Sequence, residues 1–128
     1  MSPKAFKSVE AVKSLEEEEV QNLTRAIELV EEKKGYNLAL LDMRETSLPT
    51  SFFLLVDGDN PKQVKAIAEN VIGEWDRELY GKEGLGNNSW VVLDYGDLLI
   101  HVFQEDVRTF YDLDGLWSDC LLPIEDLS

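Results

Sequence analysis

The sequence predicts an α/β fold in a single domain, and three observations lead there. The chain has 128 residues, the length of one domain. Its 44% hydrophobic and 9% aromatic residues are enough to build a packed core despite 30% charged residues. Segments with helical periodicity are interspersed with apolar runs too short for anything but buried strands.

Residues 1–13 show no periodicity and are expected to form a flexible N-terminal arm, with the domain proper spanning 14–122. Ser14 and Glu17 have the spacing of a capping box, and Val20, Leu23, Ile27 and Val30 then mark one face of a helix. Its acidic start and its Lys33-Lys34 end both complement the helix dipole before Gly35 breaks the pattern. Leu38, Ala39, Leu40 and Leu41 predict a buried strand over 37–43, and the run at 52–56 predicts a second, closed by the turn formers Asp57, Gly58, Asp59 and Asn60. Asn60 as cap and Pro61 at the first position then open a helix. Its inner face is Val64, Ile67, Ala68, Val71, Ile72 and Trp75.

Gly81, Gly84 and Gly86 read as a loop whose spacing is not that of a dinucleotide fingerprint. Runs at 90–94 and 98–103 predict a hairpin around Tyr95-Gly96, with Trp90 opposite His101. One face carries the aliphatic Val91, Leu93, Leu98, Ile100 and Val102. The other mixes Trp90, Val92, Asp94, Asp97, Leu99, His101 and Phe103, which suits either a protein-binding surface or a face covered by another segment. Val107, Phe110, Tyr111, Leu113, Leu116 and Trp117 predict short helical turns packed on the sheet. An acidic tail follows over 123–128.

Composition narrows function. Twelve Lys and Arg against 26 Asp and Glu give a net charge of −14, so the surface as a whole repels phosphate backbones and favours a basic partner. One cysteine, Cys120, excludes an internal disulfide and a cysteine metal cage. No apolar run approaches the length of a membrane span or a secretory signal, and a cytoplasmic protein is expected. One histidine, His101, supplies no zinc set and no nucleophile motif accompanies it, so a structural role is expected. Asp57 and Asp59 with Asp94 or Asp97 are carboxylates that could hold magnesium for phosphoryl or nucleotidyl transfer, although no phosphate-binding glycine motif accompanies them. Turn and cap roles account for Asp57 and Asp59 without it.

Taken together the motifs resemble the Iojap family, the ribosomal silencing factor S proteins of bacteria and organelles, over about residues 15–118. The resemblance is carried by Leu41-Asp42-Met43-Arg44, Ser51-Phe52-Phe53-Leu54-Leu55 and Gln63-Val64-Lys65-Ala66-Ile67-Ala68. It continues through Trp90-Val91-Val92-Leu93-Asp94-Tyr95-Gly96-Asp97, His101-Val102-Phe103, and Arg108-Thr109-Phe110-Tyr111-Asp112-Leu113 with Leu116-Trp117. It implies an α/β (α+β) domain with a mixed β-sheet flanked by helices, nucleotidyltransferase-like but without catalytic residues, cofactor or metal. It also implies a non-enzymatic repressor of translation. Such a protein binds the large ribosomal subunit through that subunit's ribosomal protein fourteen and blocks subunit joining, with no specific nucleic-acid binding of its own. Carried over by position, the contact residues are Trp90, Val92, Asp94, Tyr95 and Asp97. The chain departs from the family at Ser51-Phe52, where Asp-Tyr is usual, and at Asp59, where Ser or Thr is usual. A metal-dependent nucleotidyltransferase using Asp57, Asp59 and Asp94 is the competing expectation. Self-association through the mixed face, giving a homodimer, is a third.

Overall fold

The computed structural model describes residues 9–127. In chain order its helices are α1 Val9–Lys13, α2 Glu17–Glu32, α3 Pro61–Glu74, α4 Glu105–Tyr111 and α5 Leu113–Leu116. Its strands are β1 Tyr36–Asp42, β2 Phe52–Gly58, β3 Gly81–Glu83, β4 Trp90–Asp94, β5 Leu98–Gln104 and β6 Leu121–Leu122. Short 3-10 turns occupy Ser118–Cys120 and Ile124–Asp126.

The strands form one mixed sheet in the order β3-β4-β5-β2-β1-β6. The central pair β2 and β5 is parallel, with α3, β3 and β4 in the crossover. The remaining neighbours pair antiparallel. Every residue of β2 is buried, as a strand with neighbours on both edges and cover on both faces requires.

α2 and α3 start where side chains satisfy free N–H groups, and one of these starts differs from the spacing argument. Asn60 Oδ1 accepts the Gln63 backbone N–H at 2.9 Å, capping α3 as expected. In α2 the cap is Glu16, whose N–H donates to Glu19 Oε1 at 2.9 Å. Ser14 instead donates its hydroxyl to the Ala11 carbonyl at 2.6 Å, closing α1. The first eight residues of the expected arm lie outside the described residues. Over 9–13 the expectation of a loose arm gives way to α1, because Val12 and the following Leu15 bury their side chains in the core. At the other end Pro123 and Leu127 are buried, so the tail is tied down as far as 127.

The hairpin register also needs correction. Tyr95 N–H donates to the Leu98 carbonyl at 2.9 Å, so the two loop residues are Gly96 and Asp97 rather than Tyr95 and Gly96. Gly96 has φ 87°, the conformation a two-residue hairpin turn asks of its first loop residue. Trp90 therefore pairs with Phe103 and Val92 with His101. The slip is two residues, an even number, so each side chain keeps its face.

The aliphatic face, with Val91, Leu93, Leu98, Ile100 and Val102 beside Leu54 and Val56, is buried under α2 and α3. The other face forms a smaller cluster in which Phe53, Leu55, Leu41 and Phe103 pack with Leu121, Cys120, Val107 and Leu113. The glycine stretch, read as loop, supplies the edge strand β3, paired with β4.

Candidate partner-binding face

On the sheet face away from α2 and α3, side chains alternate out of β4 and β5 to give rows Trp90, Val92, Asp94 and Phe103, His101, Leu99. The C-terminal elements cover this face only in part. Phe103 is fully buried, whereas Trp90, Val92, Asp94 and Leu99 stay half-exposed. Cover by another segment, one of the two expectations for this face, thus holds at Phe103 and stops short of Val92, Asp94 and Leu99.

Trp90 stands where covered and uncovered areas meet. Its ring stacks on Phe103 with centroids 5.0 Å apart and tilts against Tyr111 of α4 at 5.1 Å. Its indole N–H donates to His101 Nδ1 at 3.1 Å. That bond makes Nδ1 an acceptor, so the neutral imidazole carries its proton on Nε2. Burial among Phe53, Trp90 and Phe103 pushes the His101 pKa down to about 4. His101 is therefore neutral at physiological pH. Its Nε2 is buried with no hydrogen-bond partner. Behind Trp90 the backbone is fixed by Gly84, whose φ is 89° and where a Cβ would lie 2.0 Å from the Trp90 carbonyl oxygen.

The other expected contact residues have their own partners. Asp94 Oδ1 accepts the Gly96 N–H at 2.8 Å, closing the hairpin turn. Asp97 is exposed and pairs with Arg77 at 2.8 Å. Tyr95 is only 1% exposed and packs on Trp75 with ring centroids 4.8 Å apart, on the opposite face of the sheet. As a direct contact through its side chain Tyr95 is corrected: the core takes it, and it acts by anchoring the turn.

The competing carboxylate site does not assemble. Asp57 pairs with Phe103 across β2 and β5, and Asp94 pairs with Leu99. Those two β5 positions are four residues apart, which separates Asp57 from Asp94 by roughly 13 Å along the strands. Asp57 is also committed: its Oδ1 accepts from Arg108 Nη1 at 2.9 Å and its Oδ2 from Asn37 Nδ2 at 3.1 Å. Asp59 accepts the Tyr36 hydroxyl at 2.7 Å. Among the described residues no three His, Cys, Asp or Glu side chains are grouped to share a metal ion.

What sequence reasoning missed is the role of Arg108 and the exposure of its neighbours. Arg108 is buried, with Nε and Nη2 donating to Asp114 at 3.1 and 2.8 Å and Nη1 donating to Asp57 and to the Asn37 carbonyl. Burial works against its charge, but the Asp114 and Asp57 carboxylates outweigh that and raise its pKa. It forms a wall of a cleft of about 660 Å³ between α4 and the β1 and β6 edge. Phe110 and Leu116, expected to pack on the sheet, are instead 77% and 68% exposed. The helical spacing was the available signal: Val107 and Arg108 take the inner side of α4, and Asp106 and Phe110, four apart, share the outer side.

A family model described as "Ribosomal silencing factor during starvation" matches residues 16–128. The chain belongs to the ribosomal silencing factor family. Among curated relatives of that family, the ribosomal silencing factor RsfS of Halalkalibacterium halodurans is 39% identical over 100 residues, covering 76% of this chain and 86% of its own. The chloroplastic protein Iojap of Arabidopsis thaliana is 30% identical over 121 residues, covering 88% of this chain and 50% of its own. The crystal structure of protein CV0518 from Chromobacterium violaceum superposes with a TM-score of 0.72 at 33% identity, over 82% of this chain and 88% of that one. Family membership thus agrees with the mixed sheet and flanking helices seen here. No helix among the described residues is long and apolar enough to cross a membrane.

Proposed function

We propose that this protein is a non-enzymatic translational repressor that docks on the large ribosomal subunit through its ribosomal protein fourteen and sterically blocks joining of the small subunit. The observation that carries this reading is the half-open face around Trp90 in a domain of the silencing-factor family. Trp90 and Val92, with Leu99 beside them, offer an apolar centre, and Asp97 supplies a charged rim at the turn that Asp94 and Tyr95 shape. An aromatic anchor ringed by polar groups is the arrangement in which a few residues dominate binding energy. The net charge of −14 speeds encounter with a basic ribosomal protein and makes association sensitive to salt.

The test is co-sedimentation of the purified chain with isolated large subunits, followed by addition of small subunits and a count of whole ribosomes formed. Binding with fewer whole ribosomes is expected. Trp90→Ala should weaken that binding by about 2 kcal/mol if the indole is an anchor. A folded Trp90→Ala variant that binds as tightly as the parent removes the anchor role. Absence of binding by the parent chain at near-physiological salt removes the docking itself.

A further inference from the structure

The carboxylates are unevenly distributed along the chain, and the uneven part coincides with an exposed apolar ridge. Residues 83–128 contain ten acidic side chains and one basic one, Arg108. That one cation is buried and held between Asp57 and Asp114. Across β4, β5, α4 and α5 the described surface therefore offers carboxylates and no Lys or Arg side chain of its own.

In the same region three large apolar side chains stand in solvent. Phe110 is 77%, Tyr111 56% and Leu116 68% exposed. Phe110 meets Tyr111 edge to face at 5.1 Å, and Tyr111 meets Trp90 at 5.1 Å. The ridge on α4 and α5 is thereby continuous with the half-open sheet face through Trp90. Asp106 lies one helical turn before Phe110, on the same exposed side of α4.

We infer that Phe110, Tyr111 and Leu116 form the second half of the docking surface, and that its occupant is a basic protein surface with an apolar spot at its centre. This inference rests on the docking role proposed above and assigns contact residues and partner chemistry to it. Charge decides among occupants. A second copy of this chain would bring the same excess of carboxylates against itself, and a nucleic acid would bring phosphates; both are repelled. A Lys- and Arg-bearing protein surface is attracted, and its apolar spot removes the ridge from water.

The experiment uses the full chain and purified large subunits, at low and near-physiological salt. The combined variant Phe110→Ala and Leu116→Ala should bind at least about tenfold more weakly than the parent with an unchanged unfolding midpoint, since both side chains are exposed. Asp106→Lys should bind more weakly at low salt and approach the parent as salt rises. Parent binding with an unaffected double variant overturns the ridge and leaves the docking role intact. Failure of the parent to bind overturns both. Tighter binding by Asp106→Lys overturns the basic partner in favour of phosphate. A parent dimer in sedimentation equilibrium, dissociated by the double variant, overturns it in favour of a second copy.

Discussion

The two faces of the sheet have been put to different uses. Under α2 and α3 the face is aliphatic and closed: Leu54, Val56, Val91, Leu93, Ile100 and Val102 are all fully buried. Across the sheet the cover is short helices and 3-10 turns, aromatic and titratable side chains are mixed with the aliphatic ones, and Trp90, Val92 and Leu99 remain half-buried. The first face obtains its stability from close packing. The second also carries the buried Arg108 ion pairs and the buried His101, and it leaves part of its surface open to solvent. The closed packing and the proposed docking surface thus lie on opposite sides of one sheet.

That contrast can be broken in graded steps. Arg108→Ala should destabilise most, by about 4 kcal/mol, because Asp57 and Asp114 lose the cation that compensates them inside the protein. Chemical denaturation reads this directly, and a loss under about 1 kcal/mol would mean the carboxylates escape to water. On the closed face Leu54→Ala should cost about 3 kcal/mol by the same measurement, through lost burial and a cavity. Next comes pH. The His101 pKa is about 4 folded and about 6.5 unfolded, so the unfolded chain binds the extra proton between those values and stability falls as pH drops through that window. Between pH 7 and pH 5 this residue should remove about 2 kcal/mol, a part that His101→Phe abolishes. The smallest effect sharpens the contrast: Phe110→Ala should change folding stability by less than about 0.5 kcal/mol, since a side chain already in water contributes little to the core.

Legibility in the sequence followed the range of the interactions. The inner face of α3, the caps formed by Asn60 and Pro61, and the strands β1, β2, β4 and β5 rest on neighbours within a turn or on period-two alternation, and all were readable. The two-sided character of the hairpin was readable too, because it depends on alternation and not on register. The register itself turned on whether Gly96 stands first or second in the loop, a backbone choice that composition does not reveal. The edge strands β3 and β6 are three and two residues long and leave no periodic trace. Arg108 was opaque for a different reason. Its partners Asp57 and Asp114 lie 51 and 6 residues away, and only the assembled fold brings them to one guanidinium. Trp90 and Val92 could be placed on the mixed face in advance, though not whether that face stays open, and the burial of Tyr95 required knowing that Trp75 folds beneath it.

The central parallel pair has a consequence for how the chain acquires its structure. β2 is complete by residue 58, but one of its edges is matched by a strand that begins at residue 98. Until that strand has been synthesised, a largely apolar stretch carries an open row of amide and carbonyl groups, an edge prone to mispairing. The ordering cost of a long loop must also be met before the pairing returns anything, which places the domain among slower, topology-limited folders. A nascent chain halted before Leu98 therefore lacks its central pairing, and folding waits until β5 emerges from the ribosome that is making it.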